Sequence, residues 1–149
     1  MAMSELCNPD VITLERNSTI AQAAKLMRQH HVGAVIVVEM KDGRRSPVGI
    51  VTDRDIVVEL VATELDPDVI TVGDIMVHTL VSISEKSGLL EAIRLMADKG
   101  VRRLPVTDEK GALVGIATLD DILLLLTKEL GALSKLVERE QKNEAKKRR

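Results

Sequence analysis

No phenylalanine, tyrosine or tryptophan occurs anywhere in the 149 residues. Aromatic faces are the usual platforms on which single-stranded bases stack. That mode of nucleic-acid binding is therefore excluded, and any bound base must lie between aliphatic side chains. The single cysteine, Cys7, rules out an internal disulfide and any multi-cysteine metal site within one chain, and it fits a reducing compartment. Neither sign of charge dominates, with 21 Lys and Arg against 23 Asp and Glu, so nothing general attracts nucleic acid or an acidic surface. No apolar run is long enough to span a bilayer. The opening Met1-Ala2-Met3-Ser4-Glu5 has neither the basic nor the apolar part of a secretory signal. The expectation is a soluble, cytoplasmic protein that engages neither membrane nor nucleic acid. With 45% hydrophobic residues it can bury one core, but it is too short for several independent domains.

What the sequence does contain is a duplication. Ala23-Ala24-Lys25-Leu26-Met27 returns as Ala92-Ile93-Arg94-Leu95-Met96, and Gly49-Ile50-Val51-Thr52-Asp53-Arg54-Asp55-Ile56 returns as Gly115-Ile116-Ala117-Thr118-Leu119-Asp120-Asp121-Ile122. The second offset is slightly shorter because Lys41 to Ser46 carry extra residues in a turn. Within each copy the periods alternate. Val11–Leu14 and Leu80–Ile83 are β-prone, and Ser18 and Ser87 suit helix N-caps. Ile20, Ala23, Ala24 and Met27, and likewise Leu89, Ala92, Ile93 and Met96, have the spacing of one helix face. Strands are expected at Ala34–Val38 and Val48–Val51, and at Leu104–Thr107 and Leu113–Ala117, joined through Asp42-Gly43 and Lys110-Gly111. Second helices follow, from about Asp53 to Leu65 and from Leu119 onward, with a break at Asp66-Pro67-Asp68. The fold class is thus α/β in the α+β sense: tandem β-α-β-β-α repeats. One repeat cannot cover both faces of its own sheet, so the two should pack sheet to sheet with pseudo-two-fold symmetry and two equivalent clefts. The divisions expected are 1–66, 67–127 and a C-terminal helical tail, 128–149.

The pattern Gly-hydrophobic-x-Thr-x-x-Asp occurs twice, at Gly49–Asp55 and Gly115–Asp121, each time where a strand hands over to a helix. Two readings stand side by side. Thr followed three residues later by an acid resembles a capping box, which only starts a helix. The same geometry offers a ligand a helix N-terminus for phosphate and a carboxylate for the paired hydroxyls of a ribose.

Taken together with Val101-Arg102-Arg103-Leu104-Pro105-Val106 and the lead-in Val72-Gly73-Asp74-Ile75-Met76, the doubled pattern resembles the CBS domain pair, or Bateman module, over about Val11 to Leu126. What the resemblance implies is a non-catalytic regulatory module that senses energy state by binding AMP, ADP, ATP, NAD(H) or S-adenosylmethionine as a ligand, with no catalytic cofactor. One implied cleft joins Thr118 and Asp121 to Ile12 and Val32; the other joins Thr52 and Asp55 to Val81 and Val101. Arg102 and Arg103 match phosphate-binding positions of the family and are expected on the side of Asp121. Against them stands the plain reading of a solvated basic pair at a strand start. The first copy departs from the family, with Gly33-Ala34 in place of the arginines and Ile36 where proline is usual. The alternative to a sensor is a structural dimerisation scaffold whose clefts are degenerate.

Other residues give less. His30-His31 end a helix and His78 sits in a linker, so no metal site is expected, and no Ser-His-acid or Cys-His constellation suggests an enzyme. Met27 and Met96 suit the core. A homodimer is expected, because Val57, Leu60 and Val61, and Ile122 to Leu126, offer more apolar surface than one chain readily covers. The stripe Ile122, Leu126, Leu130, Leu133 and Val137 predicts a long helix, packed on its own domain or on a second subunit, that ends in the basic run Lys146–Arg149. The regulated partner is an unidentified protein.

Overall fold

The structure, a computed structural model, describes residues 1–148. The chain divides into two units, Met1–Ala117 and the residues from Thr118 on. Within the first, the elements run α1 (Met3–Leu6), β1 (Thr13–Leu14), α2 (Ile20–His30), β2 (Ala34–Lys41), β3 (Arg44–Thr52) and α3 (Asp53–Ile56), which continues as a π-helical stretch, Val57–Val61. The second repeat follows with α4 (Val72–Ile75), β4 (Ile83–Ser84), α5 (Leu89–Lys99), β5 (Arg103–Thr107) and β6 (Leu113–Thr118). Two three-stranded sheets result, in the orders β1-β2-β3 and β4-β5-β6. β1 lies parallel to β2 with Thr13 opposite Ile36, and β2 lies antiparallel to β3 with Ala34 opposite Thr52. This is the α+β architecture of tandem β-α-β-β-α repeats.

Alternation along β2 explains how the sheet is covered. Val35 and Val37, with Val51 of β3, share a core with Ile20, Ala23 and Met27 of α2 and with Leu60, Val72 and Met76. Ile36 and Val38 point to the other face and are buried too, as sheet-to-sheet packing of two repeats requires. On α2 the buried stripe is Ile20, Ala23 and Met27, while Ala24 is exposed.

The helix starts differ from expectation by one residue. The N-cap of α2 is Thr19, whose hydroxyl accepts from the Gln22 N–H at 3.2 Å while the Gln22 side chain accepts from the Thr19 N–H at 2.9 Å. The N-cap of α5 is Gly88, without a side-chain bond. Ser18 and Ser87 serve instead through their carbonyls, which accept from the N–H groups of Val72 (2.8 Å) and Met3 (2.9 Å).

Those two bonds belong to a reciprocal exchange. The lead-in of the second repeat, α4 and the residues after it, docks on the first: Thr71 bridges to Thr19 and Val77 to Ile50 of β3. The lead-in of the first repeat, α1 with its flanks, docks on the second: Ala2 bridges to Gly88 and Asn8 to Ile116 of β6. Each contact occupies the space that a side chain in place of the glycine would need. A Cβ on Gly49 would lie 2.5 Å from the Met76 sulfur, and one on Gly115 would lie 2.6 Å from the Asn8 carbonyl oxygen. The glycine that opens each repeated motif therefore makes room for the other repeat's lead-in.

The second unit holds α6 (Leu119–Lys147), capped at Thr118. The predicted apolar stripe lies on one continuous helix, with Leu130, Leu133 and Val137 each more than half exposed. Gly131 does not interrupt it. Of the basic run at the end, Arg149 lies outside the described residues, and Arg148 pairs with Glu144 at 2.7 Å. No helix among the described residues is long and apolar enough to cross a membrane.

Candidate functional site

A pocket of about 300 Å³ opens between the two repeats where β3 ends. Its aliphatic wall comprises Ile50, Val77, Leu80, Val81, Val101 and Pro105, and its polar groups are Thr52, Asp53, Arg54, Asp55, Thr79, Arg102 and Arg103. An apolar wall with a few convergent polar groups is the usual constitution of a small-molecule site, and this volume stands at the lower end of that range. A cavity of about 440 Å³ at the hairpin tips is lined instead largely by charged and polar side chains such as Lys41, Asp42, Arg44 and Lys110, with no aliphatic slot for a base.

Thr52 is the hinge from strand to helix. Its hydroxyl accepts from the Asp55 N–H at 3.2 Å, and Asp55 Oδ2 accepts from the Thr52 N–H at 2.8 Å. The capping box is thus real, and it fixes the Asp55 carboxylate at the pocket rim. It does not exhaust that group, since an ionised carboxylate has about four acceptor positions. An identical box at Thr71 and Asp74 stands outside the pocket, and there the Thr71 backbone N–H, then its hydroxyl, hold the Asp74 carboxyl below its usual range. The motif by itself is therefore a helix start; what distinguishes Thr52 and Asp55 is the pocket they face.

The structure brings together six residues singled out in the sequence: Thr52, Asp55, Val81, Val101, Arg102 and Arg103. Arg102 and Arg103, expected on the side of Asp121, line the pocket of Thr52 and Asp55. The reason is chain continuity. Val101, Arg102 and Arg103 are consecutive at the entry to β5, so a pocket that takes Val101 as its wall receives the guanidinium groups that follow it. Thr118 and Asp121 belong to the C-terminal unit, where the Thr118 hydroxyl accepts from the Asp121 N–H at 3.2 Å and donates to Asp121 Oδ2 at 2.7 Å. Ile12 is half-buried against the first repeat's core, and Val32 is exposed just before β2.

Sequence reasoning missed Asp53 and Arg54, although both lie inside the repeated motif. It also missed Val77 and Thr79, which reach the pocket because the exchanged lead-in carries them there. Arg54, Arg102 and Arg103 bring three guanidinium groups to the lining beside the carboxylates of Asp53 and Asp55. No group of three or more His, Cys, Asp or Glu residues converges among the described residues. Burial pushes the Cys7 thiol up, which keeps it protonated and a poor nucleophile.

Comparison with known proteins agrees with this architecture. The family model described as the CBS domain matches residues 3–62 and 72–128. An uncharacterized protein of Methanopyrus kandleri is 40% identical over 123 residues, 83% of this chain; the chain spans only 61% of that relative's length. The CBS domain-containing protein YhcV of Bacillus subtilis is 38% identical over 121 residues, covering 81% of this chain and 82% of YhcV. Among solved structures, the CBS domain pair of protein MJ0100, in complex with 5′-methylthioadenosine and S-adenosyl-L-methionine, superposes with a TM-score of 0.73 at 25% identity, over 85% of this chain and 99% of that one.

Proposed function

The chain belongs to the CBS domain family, and from that membership we propose that it is a non-catalytic regulatory module whose inter-repeat pocket binds an adenosyl ligand and reports its occupancy to a partner protein. The observation that carries the proposal is the convergence, in one cavity, of the Asp55 carboxylate, two consecutive arginines and an aliphatic slot contributed by both repeats. In this reading Val81, Val101 and Ile50 flank the base, which suits a chain without aromatic side chains. The free acceptor positions of Asp55 take the ribose hydroxyls, and Arg102 and Arg103 take phosphate through charge-assisted bonds. A phosphate role for Arg102 and Arg103 favours AMP, ADP, ATP or NAD(H), which carry phosphate, over S-adenosylmethionine, which carries none. By sequence, Thr118 and Asp121 repeat the Thr52–Asp55 pattern, and the proposal extends to them on that ground alone.

Signalling follows from where the pocket lies. Its walls come from both repeats, so a ligand that bridges them favours whichever mutual arrangement it grips more tightly, and can shift the equilibrium only by that difference in affinity. We also propose a homodimer, supported by the exposure of Val57 and Val61 and of Leu123, Leu124 and Leu126. Leu60 and Ile122, expected to contribute to that surface, are buried within the chain. A second reading, a dimerisation scaffold without ligand, draws support from the Thr71–Asp74 box, which shows the motif serving structure alone.

Absorbance and calorimetry separate the two. The protein lacks tryptophan and tyrosine, so a 260 nm band that survives purification is bound nucleotide, identifiable by mass spectrometry. Ligand-free protein should give heat with at least one of AMP, ADP, ATP, NAD(H) or S-adenosylmethionine, and no heat with any of them leaves the scaffold reading. Light scattering giving a monomer mass at micromolar concentration refutes the dimer.

A further inference from the structure

We propose that the cavity of about 440 Å³ at the hairpin tips is a separate ligand site, one that takes a compact oligophosphate and holds it with side chains of both repeats. It does not depend on the adenosyl pocket, which stands at the other end of β3. Arg44 opens that strand and Thr52 closes it, a span of roughly 25 Å at the usual rise of a strand.

Two turns build the cavity. In the first repeat Asp42 (φ 52°) and Gly43 (φ 75°) form the two-residue turn between β2 and β3, and this sets Lys41 directly opposite Arg44. Like charges directly opposite each other weaken a strand pair. In the second repeat the Asp108 carboxylate shapes the turn, its Oδ1 accepting from the N–H groups of Lys110 and Ala112 at 2.9 Å each. Its Oδ2 accepts from Arg44 Nη1 at 3.3 Å, which fastens the first repeat's turn to the second's. Lys41, Arg44, Lys110 and Ser46 thereby line one cavity, and the carboxylate among the lining side chains is that of Asp42. Neither lysine ammonium group is engaged in a hydrogen bond or ion pair among the described residues.

An anion seated there offsets the repulsion between Lys41 and Arg44. A cleft lined by cations concentrates anions, and guanidinium and ammonium groups offer charge-assisted bonds to phosphate oxygens. Three cations spread over two turns suit a short chain of phosphates better than a single one. Lys110 comes from one repeat and Lys41 and Arg44 from the other, so the occupant reinforces the link that Arg44 already makes to Asp108.

Calorimetric titration of ligand-free protein with sodium tripolyphosphate tests this. Binding should be measurable at low ionic strength and should weaken as salt is added. Lys41→Ala and Lys110→Ala should each cost roughly tenfold in affinity, the order of one charge-assisted bond, with the melting temperature unchanged. Asp42→Asn, which tolerates the same positive φ, should tighten binding. Changing Arg102 and Arg103 together to Ala should leave tripolyphosphate binding as it is. ATP added to the Lys41→Ala, Lys110→Ala double variant separates two sources of the phosphates. A binding phase lost there means that the tail of a nucleotide enters the cavity, and an unchanged ATP titration beside a lost tripolyphosphate one means free oligophosphate. No heat with tripolyphosphate, an affinity indifferent to both lysines, or a loss that follows the arginine pair instead overturns the proposal.

Discussion

Asp55 accepts a hydrogen bond from the Thr52 N–H at 2.8 Å while the Thr52 hydroxyl accepts one from the Asp55 N–H at 3.2 Å. One carboxylate therefore both closes a helix and faces the pocket, and substitution can separate the two roles. Asp55→Asn keeps a carbonyl oxygen for the cap but loses the charge that, as proposed, holds the two ribose hydroxyls. It should melt close to wild type and bind adenosine at least tenfold more weakly. Thr52→Ala removes the cap hydroxyl and should cost about 1 kcal/mol of stability in denaturant titration.

The arginine pair should govern phosphate and nothing else. With Arg102 and Arg103 both changed to Ala, ATP should lose about tenfold or more in affinity, adenosine should be nearly unaffected, and the salt dependence of ATP binding should flatten. Calorimetry at two ionic strengths reads all three, and equal losses for both ligands would contradict the assignment.

How far the sequence reveals this molecule depends on the range of each signal. The repeats, their strand and helix order and the Thr52–Asp55 junction were legible because each is encoded in a few neighbouring residues or in a repeat of them. α1 and α4 were not, since a four-residue turn is too short to show a helical period. The shift of the caps from Ser18 to Thr19 and from Ser87 to Gly88 depends on lead-ins that arrive from the other repeat. The arginines were recognisable as a pair, but that they line the pocket of Thr52 and Asp55 was not, because it depends on where β5 begins relative to β3 in space.

Acid should unfold the protein partly through two aspartates. Backbone N–H groups, that of Thr71 for Asp74 and that of Ala112 for Asp108, hold both carboxyls below their ordinary value of 3.8. A carboxyl whose folded value is depressed stabilises the fold fully above its unfolded value and loses that contribution as pH falls through the folded one. Asp74→Asn and Asp108→Asn should therefore melt below wild type at neutral pH, and the gap should narrow once pH drops below about 4. Melting temperatures recorded from pH 7 downward check this; a constant gap would mean the carboxyls are not linked to folding.

The paired glycines should be intolerant of even one methyl group. Gly49→Ala meets Met76 and Gly115→Ala meets Asn8 and Cys7, at 2.8 Å or less for the nearest atoms. Each should cost about 1–3 kcal/mol, the usual range for overpacking. The Asn8 contact is a backbone carbonyl, whereas Met76 has a flexible side chain, so Gly115→Ala should be the more damaging in denaturant titrations.

The exchange of lead-ins also sets an order of events during synthesis. The strand that receives Asn8 contains Ile116, so the segment around the fully buried Met3 has no docking place until most of the chain has been made. At ordinary rates of translation that wait lasts roughly 5 to 20 s. Throughout it the Met3 side chain, buried in the finished fold, has nothing to cover it.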